Sequence, residues 1–273
     1  MFPVVTVVII VMNLAVYWGF ERAGVFSGPT DQTFLVHYSA IPYEITHPGK
    51  LCGESARVGP ERQVVTSKGG TLCEGRTEQF VDTQTGQQVS ARVVRVVDRN
   101  QPPTWFTILS SMFMHGGFLH IAGNMLFLWI FGNNIEDAMG RIKFIFFYLA
   151  GGIVAALAQT AIDPSSGTPT LGASGAIAAV LGGYALLYPR ARVVTLIFII
   201  FFITVIELPA LAVLGVWFIL QLLSASSQTI GHAGGTVAYF AHIGGFLFGL
   251  LTIKLLASRY DRDYDRHNRL PVY

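Results

Sequence analysis

Six apolar runs divide the chain: residues 3–20, 115–134, 143–162, 172–188, 208–224 and 236–256. A helix needs about 20 residues, in a range of about 17–25, to cross the hydrocarbon of a bilayer, and each run lies within or close to that range. Such a segment must satisfy its own backbone hydrogen bonds in lipid, so helices are expected. The 273-residue chain is 52% hydrophobic and only 12% charged, against about 25% charged in soluble proteins. The expected fold class is an all-α membrane protein, a bundle of six transmembrane helices with a long external loop between helices 1 and 2. A net charge of +2 is too small to imply nucleic acid. The partner that composition does imply is the lipid bilayer.

Residues 193–206 fit this scheme poorly. Together with 208–224 they are too long for one straight span and too short for two. Pro209 suits the first turn of the fifth helix, which leaves 193–206 interfacial or re-entrant, with a seventh span as the alternative. The run 3–20 has no Lys or Arg before it and no small-x-small cleavage site after it, so it reads as a retained helix rather than a signal peptide. Arg141, Lys143, Arg190, Arg192 and the basic tail from Lys254 fall on one side of a six-span bundle. The loops 163–171 and 225–235 carry no Lys or Arg. The positive-inside rule then makes the basic side cytoplasmic. The expectation is a multi-pass protein of the cell membrane, both termini cytoplasmic, with any active site opening to the outer face. The domains expected are a transmembrane helix at 1–20, an external insertion at 21–103, a core at 104–256 and a cytoplasmic basic tail at 257–273.

The insertion holds both cysteines, Cys52 and Cys73. Two cysteines in an oxidising exterior suggest a disulfide, with two free thiols as the alternative. Zinc is disfavoured, because His47 nearby does not complete the usual four-ligand spacing. Strands are expected at 77–82 and 89–97, flanking a turn at Thr85-Gly86.

Polar groups inside membrane-length helices are costly and mark functional sites. Ser174 lies in Gly172-Ala173-Ser174-Gly175, at the start of the fourth run. Backbone N–H groups and the helix dipole at such a start favour a developing oxyanion. A helix cap or small-residue packing explains a lone serine equally well. His242 lies beside a small face formed by Ala241, Gly245 and Gly249, which lets a facing helix approach closely. Gly175, Ala179 and Gly182 supply a matching face on the fourth run. A serine hydroxyl needs a base to take its proton, and histidine is the usual one. His120 and Asn124, four residues apart, share one helix face and can donate to an oxyanion. Helix–helix hydrogen bonding is their simpler reading. His115 lies near the mouth of that helix. No Asp or Glu within these runs completes a metal site, so neither a metal nor a cofactor is expected.

These residues resemble those of the rhomboid intramembrane serine proteases, and the likeness covers nearly the whole chain. His115, His120 and Asn124 match the second-helix H-x4-H-x3-N pattern. Glu136 lies at the centre of GNNIEDAMG, which matches G-x3-E-x3-G of the following loop. Gly172 and Ser174 match G-x-S-G of the fourth helix, and AHIGGFLFG from Ala241 matches A-H-x2-G-x3-G of the sixth. The resemblance, to the bacterial type with a six-helix core, implies a serine endopeptidase acting on transmembrane protein substrates. It makes Ser174 the nucleophile and His242 the general base. Asn124, His120 and the Ser174 backbone N–H would line an oxyanion hole, with His115, Gly172 and Glu136 in supporting roles. Two departures stand out. Phe106-Thr107 replaces a Trp-Arg pair, and Ala178 replaces a tyrosine that stacks on the histidine in some members, so His242 must be oriented by something else, such as the Ala–Gly seam. The rival reading is a non-proteolytic rhomboid-like protein that binds membrane clients. A small transporter has less support, since no inverted repeat is visible.

Overall fold

The computed structural model describes residues 2–21, 32–60, 63–67, 70–81, 88–199, 202–231 and 237–257. Its elements, in chain order, are α1 (Val4–Gly19), α2 (Gln32–Tyr38), α3 (Pro42–Thr46), β1 (Cys52–Gly53), β2 (Ser55–Val58), β3 (Gln63–Thr66), β4 (Leu72–Cys73), β5 (Thr77–Val81), β6 (Gln88–Val96), α4 (Thr104–Ser110), α5 (Phe118–Phe127), α6 (Asn133–Met139), α7 (Arg141–Ile162), α8 (Ser174–Leu187), β7 (Arg192–Ile199), β8 (Phe202–Pro209), α9 (Ala210–Gly231) and α10 (Tyr239–Leu256). A π-helical turn, Leu128–Gly132, joins α5 to α6. Among the described residues, four helices are long and apolar enough to cross a membrane: Phe118–Met139, Arg141–Ile162, Ala210–Ser227 and Tyr239–Leu256. The apolar helices α1 and α8 are shorter, at 16 and 14 residues. The protein is largely helical but not all-α, since the described residues include three sheets. Two compact units can be told apart, Met1–Leu14 with Leu119–Gln159 and Ala173–Tyr273, and Ala15–Phe118 with Thr160–Gly172.

In the first unit, large apolar side chains point outward from the helices. Leu255 is 83% exposed and Leu251 74%, with Ile142, Phe146, Val216 and Leu223 also exposed. Water would penalise such a surface, whereas hydrocarbon accepts it. By contrast, α8 is buried from Gly175 through Ala185. Glu136, expected in a loop, lies in α6. Its carboxylate accepts the backbone N–H groups of Val5 (3.0 Å) and Thr6 (2.8 Å) and the Thr6 hydroxyl. A carboxylate there satisfies orphan donors of the first turn of α1 and complements its dipole. The helix then stops at Gly140, whose φ of 83° suits a residue without a Cβ.

Residues 193–206 take a form that the sequence reading had not specified, and the alternative of a seventh helical span is set aside. The described residues among them, 193–199 and 202–206, pair as antiparallel strands, registered from Arg192↔Pro209 to Ile199↔Phe202, and so form no seventh helix. Ten of the fourteen are Val, Ile or Thr, whose branched Cβ favours the pleated strand. Pro209 closes β8 directly before α9. The fifth helix also outruns its expected end at residue 224 and reaches Gly231.

The second unit shows that much of 21–103 is folded rather than loop. Strands β3-β2-β6-β5 form one antiparallel sheet. The expected pair around residue 85 is present, registered from Thr77↔Arg92 to Val81↔Gln88, while the turn itself lies outside the described residues. Ala56, Val58, Leu72 and Val93 form the sheet's core, covered by Val65, Phe80 and Ala91. Cys52 and Cys73 face each other across β1 and β4 and are joined as a disulfide, with Cα atoms 4.0 Å apart. Loop residues 166–170 attach to this unit. Ser166 O accepts from Tyr43 N (2.9 Å), and Ala40 pairs with Thr170 through both backbone hydrogen bonds.

Glu44 is buried beside the disulfide, where it accepts the Cys52 N–H at 2.7 Å. Burial pushes its carboxyl up to about 7. The Cys52 N–H opposes the shift and the nearby Glu74 adds to it. The folded unit therefore binds a proton between about pH 4.5 and 7 that the unfolded chain has released. Its stability is highest below that window and falls as pH rises through it, by on the order of 3 kcal/mol from this group. Glu44→Gln is expected to flatten the fall, as read from urea midpoints of the sheet in detergent at pH 5 and pH 8. An unchanged pH slope in the variant would refute the assignment.

Candidate functional site

Gly172 has a φ of 122°, a backbone region that side chains strain to enter. Its N–H donates to Ser111 O at 2.8 Å. The chain then turns directly into α8, with Ala173 as N-cap and Ser174 as the first helical residue. The first intrahelical bond runs from Ile177 N to Ala173 O (2.9 Å). The N–H groups of the first turn have no partner within the helix, and the positive end of its dipole lies at Ser174.

A seam of small residues brings α10 against α8. A Cβ built on Gly249 would stand 1.8 Å from Ala179 O, one on Gly182 2.0 Å from Phe246 O, and one on Gly245 2.2 Å from Gly175 O. Helix α7 also approaches α8, with Ala155 Cβ 2.6 Å from a Cβ placed on Gly175. The small faces read from the sequence are therefore mutual contacts. Ala178, fully buried, occupies the same seam beside Gly245.

This packing sets His242 Nε2 2.8 Å from Ser174 Oγ. The other ring nitrogen, Nδ1, lies 2.8 Å from Gln221 Oε1 on α9. Trp217, one turn before Gln221, has its ring 6.0 Å from that of His242 and 6.0 Å from that of Phe246. Tyr239 meets the imidazole edge-on at 6.4 Å. The seam brings His242 to Ser174, while its other ring nitrogen meets α9, a contact that sequence reasoning did not foresee. A signal was present: Gln221 is the single polar side chain from residue 210 to 223, and a polar group in such a run calls for a partner.

His120 and Asn124 lie in α5. His120 is exposed. Asn124 is buried, and its Nδ2 has no hydrogen-bond partner among the described residues. A buried donor left unmade costs about 1–3 kcal/mol, a cost that an incoming oxygen would relieve. His115 precedes α5 and belongs to the other unit. It is buried, and its backbone N–H donates to Glu21 Oε1 at 2.9 Å.

The chemistry available is therefore a hydroxyl with a base in contact, at a helix N-terminus. The Rhomboid domain family model matches residues 102–259, more than half of the chain and both members of that contact. The chain is 32% identical over 155 residues to "Rhomboid protein 1, mitochondrial" of Saccharomyces cerevisiae, covering 53% of this chain and 40% of that protein. It is 33% identical over 146 residues to "Presenilin-associated rhomboid-like protein A, mitochondrial" of Danio rerio, 52% of this chain and 35% of that one. Against "Rhomboid protease GluP" of Bacillus subtilis it is 40% identical over 84 residues, 31% of this chain and 16% of that one. The chain thus spans less than half the length of these relatives. The mitochondrial names of the longer matches overturn the expected placement in a cell membrane with cytoplasmic termini, and point to a mitochondrial membrane for those proteins.

Proposed function

The chain belongs to the rhomboid family, and from that premise we propose that it is an intramembrane serine endopeptidase, cutting peptide bonds in or near the transmembrane segments of other proteins. The observation that carries this reading is the 2.8 Å contact between His242 Nε2 and Ser174 Oγ. His242 takes the hydroxyl proton as Ser174 Oγ attacks the scissile carbonyl, then returns it to the leaving amine. A water, activated by the same nitrogen, hydrolyses the acyl-enzyme. The oxyanion is met by the Ser174 backbone N–H and the Asn124 amide, with His120 beside them. The unmade donor of Asn124 and the orphan N–H groups of α8 support that assignment.

Six spans are proposed for the bundle, with α1 and α8 added to the four longer helices. At about 1.5 Å per residue, the 14 residues of α8 cover about 21 Å of a hydrocarbon layer about 30 Å thick. A centred α8 thus begins below the membrane surface, within reach of both water and a substrate helix. A substrate helix has to unwind there to expose its carbonyl, which favours substrates with Gly or Pro near the cut.

The test is labelling of detergent-solubilised protein with a fluorophosphonate probe, for wild type, Ser174→Ala and His242→Ala. Wild type is expected to label and both variants to stay dark. A folded wild type that does not label would move the assignment to a client-binding protein without protease activity.

A further inference from the structure

We infer that Gln221 is a positioning residue for His242, completing a Ser174–His242–Gln221 hydrogen-bond chain across α8, α10 and α9. The inference rests on the protease reading and deepens it. For His242 Nε2 to take a proton from Ser174, it must be the bare nitrogen of the neutral ring, with the proton on Nδ1. Among the described residues no carboxylate contacts Nδ1 to hold the ring this way. What Nδ1 meets instead, at 2.8 Å, is the amide oxygen of Gln221.

An amide can present either end, and the two ends have opposite consequences. With Oε1 towards the ring, Nδ1 must donate and Nε2 is free to act as base. With the NH2 group towards the ring, Nδ1 must accept, the proton moves to Nε2, and the base is lost. The α9 backbone selects the first arrangement. Gln221 Nε2 faces the Trp217 carbonyl one turn earlier, at 3.5 Å, a long contact that an oxygen in its place could not make. Trp217 and Phe218 hold this part of α9 against α10, with Phe218 stacked on Phe246 at 4.5 Å. The ring is therefore correctly oriented only while α9 lies against α10.

Two variants and two readouts test this. Gln221→Met keeps the volume and removes the acceptor, whereas Gln221→Glu keeps an acceptor. Nitrogen-15 spectra of histidine-labelled protein in detergent are expected to show the Nδ1–H form of His242 in wild type and in Gln221→Glu, and a mixture of tautomers in Gln221→Met. For a membrane substrate, kcat of Gln221→Met should fall by roughly ten- to a hundredfold, the scale of one lost hydrogen bond on a desolvated group, with KM unchanged and Gln221→Glu restoring most of the rate. An Nε2–H form in wild type, or an unchanged tautomer and kcat in Gln221→Met, would overturn the inference. The spectra do not require proteolysis. A wild type that neither labels nor cleaves therefore refutes the protease reading, while the tautomer still decides the role of Gln221.

Discussion

Ser174→Ala, His242→Ala and the double variant should each lower cleavage of a transmembrane substrate by a similar factor, roughly 10^4-fold or more. The two side chains act as one unit. Without the hydroxyl there is nothing to deprotonate, and without the imidazole the hydroxyl stays a poor nucleophile. Their losses therefore should not multiply. Residual activity would come from the helix N-terminus and Asn124, which both variants leave in place. The measurement is single-turnover cleavage of a reconstituted substrate by the four proteins. A double variant slower than both singles by the product of their losses would mean that the 2.8 Å contact is not a working dyad.

The second large effect lies in the seam. Gly249→Val would place a Cβ 1.8 Å from Ala179 O and within 3 Å of two more backbone atoms of α8. Backbone cannot give way as a flexible side chain can, so the helices have to separate. Overpacking costs about 1–3 kcal/mol where side chains can shift, and the cost here should exceed that range. The expected result is loss of folded, monodisperse protein in detergent. Gly215→Ala, on the same kind of helix, is the control. Nothing lies within 4 Å of a Cβ there, and alanine is the better helix former by about 1 kcal/mol. Equal melting temperatures for Gly249→Val and wild type would show that the close approach of α8 and α10 is not required.

Much of the site was readable beforehand because its signals are local. Ser174 opens its helix where a Gly-flanked serine was expected, and the repeat at Ala241, Gly245 and Gly249 packs on the helix predicted to receive it. Apolar length identified the helices for a similar reason, since a backbone in lipid has few other ways to bond. The reading left 193–206 open, where apolar length and β-branched composition give opposite answers. Only pairing with a second strand, eight residues registered against eight, settles which prevails. It also understated 21–103, whose sheet is held by contacts distant in sequence, such as Ala56↔Val96 and Cys52–Cys73.

What the sequence determined by itself was membrane residence, the helical bundle, and the serine, histidine and small-residue faces, because each follows from composition or from spacing along one element. The tertiary structure alone decided what His242 Nδ1 meets. Gln221 lies 21 residues away on another helix, and no periodicity within α9 or α10 relates the two. Their contact exists because Trp217 and Phe218 pack on Phe246, and packing between helices depends on shape and distance, which spacing along a single chain does not encode.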